Sequence, residues 1–390
     1  MSEAPGVLAG FTSTGSKRPD ALFGGDYPDL PHAMTRSSGC RVWDAEGREY
    51  LDLIMALGAV ALGYGHPEVN AAAVRAIGEG VVGPLPPVIE HELALDLRRL
   101  IPWIEQVRFL KTGAEAMAAA VRLARTATGR EAVLGCGYHG WLDWCQGQDA
   151  RGVPAGTRAL YAELPFNDPE RARELIRRAG DTLAAVVFEP VILAPPDPEW
   201  LGVLREETTR AGAVLVADEI KTIGRLAMGG GCERFGVRPD LVVMGKAIAN
   251  GFPLAAVGGS ADLMAGVART WISSTLATEF VALAAARATL GVLQARRVPE
   301  QLGRIGAWLL DGLRGLAERH PRHIRGVGGM PEMCCLLFRD EATGARLAVE
   351  AARHGVLFKR SPYNFVSTAH GERDVERAVA VLDEALGGMG

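Results

Sequence analysis

Several apolar runs in this chain end on an ionisable residue. Glu189 closes "VVFEP", Asp218 closes the run in "VADEI", and Lys246 follows "VVMG". A charge beside buried chain is costly unless it is paired, so Asp218 needs a cationic partner. Two carboxylates and one amine meeting at a sheet edge form a place where proton affinities are perturbed. A lysine in a dry cleft loses the solvation of its ammonium and becomes more often neutral. A neutral amine is a nucleophile toward aldehydes.

A second kind of chemistry sits in "KTGAEA", Lys111 to Ala116. Thr112 and Glu115 have the spacing of a capping box, which starts a helix. The same junction aims free backbone N–H groups and the positive end of a helix dipole at one point. A phosphate fits there, on the amides of Gly113 and Ala114 and the Thr112 hydroxyl. Together, a phosphate cradle, a buried carboxylate and a nucleophilic lysine suit pyridoxal phosphate. In that assignment Lys246 joins the aldehyde and Asp218 pairs with the pyridinium nitrogen. "GCGYHG", Gly135 to Gly140, has the GxGxxG spacing of a dinucleotide site. The aromatic and polar stretch after it, "WLDWCQGQDARGVP", offers no helix start, so that reading is set aside.

These groups must hang on regular elements. Helical spacing marks "EVNAAAVRAIGEG", "HELALDLRRLI", "AEAMAAAVRLARTATG" and "EWLGVLREETTRAG". Short apolar strands alternate with them: "EQVRFLKTG", "EAVLGCG", "LAAVVFEPV", "AVLVADEI" and "LVVMGK". That alternation predicts an α/β fold, a mostly parallel sheet covered by helices with its site at the carboxyl ends of the strands. "CRVWDAEGREYLDLI" reads as a hairpin turning at Glu46-Gly47, and the chain ends on amphipathic "ERDVERAVAVLDEAL". The expected division is a large domain over residues 50–285. A small α+β domain is built from 1–49 and 286–390, with an N-terminal arm.

Composition excludes several classes. Of 390 residues 48% are hydrophobic and 23% charged, with net charge -4, so nothing favours nucleic acid or an anionic membrane. The sequence has no membrane-length apolar run and no signal-peptide start, so a cytoplasmic protein is expected. Six cysteines, at 40, 136, 145, 232, 334 and 335, make no CxxC set, and no HExxH occurs, so no metal is expected.

Taken together, the motifs resemble the class III aminotransferases of the fold-type I pyridoxal-phosphate enzymes, in the glutamate-1-semialdehyde aminomutase-like branch. The resemblance runs from "GCRVWDAEGREYLDLIMALG" to "FVSTAH". "KTGAEA" stands in place of the family's Ser-Gly-Thr-Glu-Ala phosphate loop. "GYHG" is similar to its Tyr-His-Gly, which implies that Tyr138 stacks on the cofactor ring. "FEPV" and "ADEI" match its Glu-Pro and Asp-Glu-Val segments, so Glu189 borders the cofactor and Ile220 packs under the ring. Lys246 matches the cofactor lysine. "SSTLA" resembles the segment whose threonine, here Thr275, reaches the phosphate of the neighbouring subunit. The resemblance implies a homodimer with shared sites, an amino-acid donor and an oxo acceptor.

Departures shape the expected reaction. "DEIKTIGR" carries Lys221 where the family has an apolar residue and Ile223-Gly224 for Gly-Phe, and Asn250 replaces a frequent glycine. "KRSPYNFVSTAH" lacks the acidic residue that aminomutases carry there. The expectation is an aminotransferase acting on a small polar oxo compound, such as an oxo-sugar. The alternative is an intramolecular aminomutase or an amino-compound racemase. Arg18, Trp141, Trp144 and Arg360 are candidate substrate contacts, with Lys359 beside them.

Overall fold

The computed structural model describes residues 7–147 and 149–389. They fall into two compact units. One holds residues up to 58, 63–65 and from 302 onward; the other holds 59–62 and 66–301.

The second unit is organised by a seven-stranded sheet. Its strands in chain order are β1 (Gln106–Leu110), β2 (Ala132–Cys136), β3 (Tyr161–Glu163), β4 (Leu183–Phe188), β5 (Val214–Asp218), β6 (Leu241–Met244) and β7 (Ala255–Gly259). They lie in the order β1-β7-β6-β5-β4-β2-β3. Every pair from β6 to β3 is parallel, while β7 runs antiparallel to both β6 and β1. A sheet packed on both faces needs apolar residues in unbroken runs. β4 is buried at every position, and Val214 and Val216 of β5 face one core while Leu215 and Ala217 face the other.

The first core is closed by the Gly113–Thr128 helix, whose inward residues Ala116, Ala119, Ala120 and Ala124 let it lie close to the sheet. The second is closed by the Pro169–Ala179 and Pro198–Arg210 helices through Leu175, Ile176, Trp200 and Leu204. The Phe280–Ala295 helix, which crosses the expected boundary at 285, packs on the Pro67–Glu79 helix and the Lys246–Ala249 turn.

The first unit contains the expected hairpin, Arg41–Asp44 paired with Glu49–Asp52. Gly47 supplies the left-handed turn at φ 80°. Asp44 gathers the turn by accepting from the Arg48 and Glu46 N–H groups and the Tyr50 hydroxyl. A second sheet joins Ile324–Met330, Met333–Phe338 and Asn364–Phe365, flanked in sequence by helices Glu341–Arg353 and Glu372–Gly387. No helix among the described residues is long and apolar enough to cross a membrane.

Asn250 explains its own departure from glycine. Its backbone is left-handed at φ 45°, ψ 48°, a region asparagine tolerates better than most residues. Its Oδ1 also accepts the buried Leu62 N–H at 3.0 Å. Asn250→Ala should cost about 2–3 kcal/mol, from the left-handed strain and the orphaned N–H together. Asn250→Gly carries only the second cost, because glycine adopts the left-handed backbone freely but offers no acceptor for the Leu62 N–H. Urea unfolding midpoints check the order: wild type above Gly above Ala.

Candidate active site

Five strand ends meet at one edge of the seven-stranded sheet, and each delivers a polar group. β1 leads to Lys111 and Thr112, β2 to Tyr138 and His139, β4 to Glu189, β5 ends on Asp218, and β6 leads through Gly245 to Lys246. Register keeps them level: Phe188 pairs with Ala217, and Asp218 pairs with Val243.

Asp218 is 3% exposed, and its partner is a histidine. His139 Nδ1 lies 2.8 Å from Asp218 Oδ2, and the His139 side chain is fully buried. With Nδ1–H donating, the ring holds the carboxylate in one orientation while Oδ1 accepts the Ile220 N–H at 3.2 Å. The His139 ring stacks on Trp144 at 6.1 Å and 22°, and its Nε2 has no hydrogen-bond partner among the described residues. The glycines of "GCGYHG" make this approach possible. A Cβ at Gly137 would meet Glu189 at 2.7 Å, and one at Gly140 would meet Ala114 at 2.7 Å.

Lys246 occupies a left-handed backbone position, φ 48°, immediately after β6. A side chain there stores strain that its surroundings must outweigh. Burial, followed by the nearby Lys221 ammonium, draws its amine down from 10.5 to about 8, against the pull of Asp218 and Glu189. Glu189 is held by the Lys221 Nζ at 2.7 Å. Burial still pushes its carboxyl above the usual range. Glu219, next to Asp218, has a separate task. It accepts from the Gly231 and Cys232 N–H groups and from the Thr222 hydroxyl, which ties the loop after β5 to the short Gly230–Phe235 helix.

The Gly113–Thr128 helix begins on the predicted capping box. Glu115 N–H donates to Thr112 Oγ1 at 3.2 Å, and Thr112 N–H donates back to Glu115 Oε2 at 2.9 Å. The Gly113 and Ala114 N–H groups, in the first turn, have no intrahelical acceptor. Ile220 connects this cradle to the lysine: a Cβ at Gly113 would meet it at 2.6 Å, and one at Gly245 at 3.6 Å. Lys111 turns away to pair with Glu279 at 2.6 Å, which itself caps the Phe280–Ala295 helix.

The remaining candidates are scattered. Tyr138 and Trp141 are exposed, at 72% and 73%. Thr275 is exposed on a segment braced from below, where Arg108 and Arg122 donate to the carbonyls of Ile272 and Trp271 at 2.6 Å each. Trp144 is buried in the core beneath His139. Arg18 and Arg360 belong to the first unit. Arg18 pairs with Asp20, and Arg360 donates to the Asp20 and Ala21 carbonyls of the Pro19–Phe23 helix. Lys359 donates to Ser361 and the Pro362 carbonyl. His139 and the Lys221–Glu189 pair were not assigned from sequence. A buried carboxylate in need of a donor, and a histidine between two glycines, were the available signals for the first. No cluster of three or more potential metal ligands occurs among the described residues.

The chain is similar to known proteins in sequence and in fold. The class-III aminotransferase profile matches residues 24–370. A glutamate-1-semialdehyde 2,1-aminomutase of Thermomicrobium roseum is 36% identical over 393 residues, covering 91% of each chain. Among solved structures, the FumI protein of Sphingopyxis sp. MTA144, in its PLP internal aldimine form, superposes with a TM-score of 0.91 at 27% identity, covering 98% of this chain and 93% of that one. An omega-transaminase from Sphaerobacter thermophilus gives 0.87 at 28% identity, covering 98% and 94%. The chain belongs to the class-III aminotransferases, pyridoxal-phosphate enzymes of fold type I.

Proposed function

We propose that this enzyme moves an amino group from an amino-acid donor to a small polar oxo compound, with pyridoxal phosphate held on Lys246. The observation that carries the reading is a buried Lys246 amine, drawn down to about 8, at the edge where His139 pairs with Asp218. The residues fit the cofactor. The Gly113 cradle lies too close to Ile220 for any side chain, and its amides suit a dianion. When bound, pyridoxal phosphate supplies an aldehyde for amine exchange and a ring that withdraws electrons.

The chain's own groups then divide the work. Gly113 and Ala114 N–H groups bind the phosphate. Asp218 would set its carboxylate against the ring nitrogen, and His139 would hold that carboxylate in its orientation. Ile220, Tyr138 and Glu189 would border the ring. Lys246 would also be the group that takes the proton from the donor's α-carbon. The reading includes a homodimer in which Thr275 serves the neighbouring site. The exposed apolar residues Val81, Val82, Leu85 and Val88 support such a partner face.

A second reading is an intramolecular aminomutase, favoured by the name of the 36%-identical relative. A donor and acceptor panel followed by mass separates them. The first reading expects aminated product and keto co-product in equal amounts. Conversion of one substrate with no co-substrate overturns it in favour of the second.

A further inference from the structure

Lys221 stands three residues beyond Asp218, on the loop that leaves β5. Its ion pair with Glu189 is enclosed, the two side chains being 15% and 6% exposed. The strand register fixes its surroundings. Glu189 follows β4, Asp218 ends β5, and Val243 of β6 pairs with Asp218. A Cβ added at Gly245 would stand 3.6 Å from Ile220, so the loop that carries Lys221 passes close to the turn that carries Lys246. Two amines therefore sit just beyond neighbouring strands at one sheet edge, and one of them is already committed to a carboxylate.

Resting on the reading that Lys246 carries the cofactor, we propose that Lys221 is a positioning residue: clamped by Glu189, its ammonium faces Lys246 and disfavours a second positive charge there. The charged groups acting on Lys246 are Lys221, Asp218, Glu189 and Arg225, with His139 joined to Asp218 from the loop after β2. Lys221 is the strongest of these after burial itself, ahead of either carboxylate. Glu189 does not cancel it. Burial drives that carboxyl toward the neutral acid, and the Lys221 contact opposes the drive. Loss of Lys221 removes a cation and lets Glu189 take up a proton, and the larger of the two effects on Lys246 is the lost cation.

The test uses the cofactor-free protein and reads chemistry, not turnover. The initial rate of pyridoxal phosphate capture is measured against pH, with borohydride trapping and peptide mass to identify Lys246. The neutral amine reacts, so the wild-type rate rises with pH around a midpoint near 8. Lys221→Met should raise that midpoint by about one pH unit. Below both midpoints capture then slows about tenfold. Lys221→Arg keeps the charge and should keep the midpoint. Glu189→Gln, which leaves the cation without its carboxylate, should lower it. A midpoint unmoved in Lys221→Met, or moved the same way in Lys221→Met and Glu189→Gln, overturns the inference. Trapping that never falls on Lys246 in the wild type instead overturns the cofactor assignment.

Discussion

Lys246→Ala is expected to abolish transamination, lowering the rate by at least about a thousandfold, the scale set by losing a positioned proton-transfer group. Two functions vanish together: the amine that captures the cofactor and the base that takes the donor's α-proton. The fold should persist. The mutation removes a partly desolvated amine, and the backbone at φ 48° is already stabilised by its surroundings. The measurement is α-proton exchange of an amino-acid donor in deuterated water, read by mass. Wild type should exchange and the variant should not. Exchange retained in the variant would show that another group moves the proton.

Asp218→Asn is expected to cost about a hundredfold to a thousandfold in turnover, the range found when a preorganised charge is withdrawn from a reacting centre. Asn keeps the shape and, with its one oxygen toward His139, that hydrogen bond; it gives up the acceptor for the Ile220 N–H and removes the charge proposed to hold a proton on the ring nitrogen. His139 still has an acceptor at 2.8 Å, so the loop after β2 should stay in place. Borohydride should therefore still fix the cofactor on Lys246, while α-proton exchange collapses. This split between capture and exchange distinguishes a charge role from a structural one, which would weaken both. Full exchange in Asp218→Asn would remove the electrostatic role altogether.

The residues that announced the site were those on which buried strands end. A strand covered on both faces has a continuous apolar sequence, so the first charge after it is conspicuous, and Glu189, Asp218 and Lys246 all follow such runs. The Gly113–Thr128 helix was legible for a local reason, a capping box at one end and a left-handed Gly129 at the other. Long-range pairing was not legible. Lys221 meets Glu189 across 32 residues only because β4 and β5 are neighbours, and His139 meets Asp218 across 79. "GYHG" drew attention to its tyrosine, while the histidine next to it makes the contact. β7, "AAVGG", carries too little bulk to read as a strand, yet it is buried at every position. Its glycines are needed by neighbours: a Cβ at Gly258 would meet Ile104 at 2.8 Å, and one at Gly259 would meet the Asp240 carbonyl at 2.6 Å.

That reversed strand also sets an order of assembly. β1 stands at the edge of the sheet, and its neighbour there is β7. About a hundred and fifty residues separate their partners, Gln106 meeting Gly259. As the chain emerges from its N-terminus, the parallel block β2 to β6 can dock strand by strand, bringing Asp218 and Lys246 together. The strand that leads into the phosphate cradle, β1, has no partner in the sheet until β7 has been made. The first strand of the sheet in the sequence is thus the last to be paired. A chain stopped short of residue 255 would rest the cradle on its helix alone, with the strand before it unpaired.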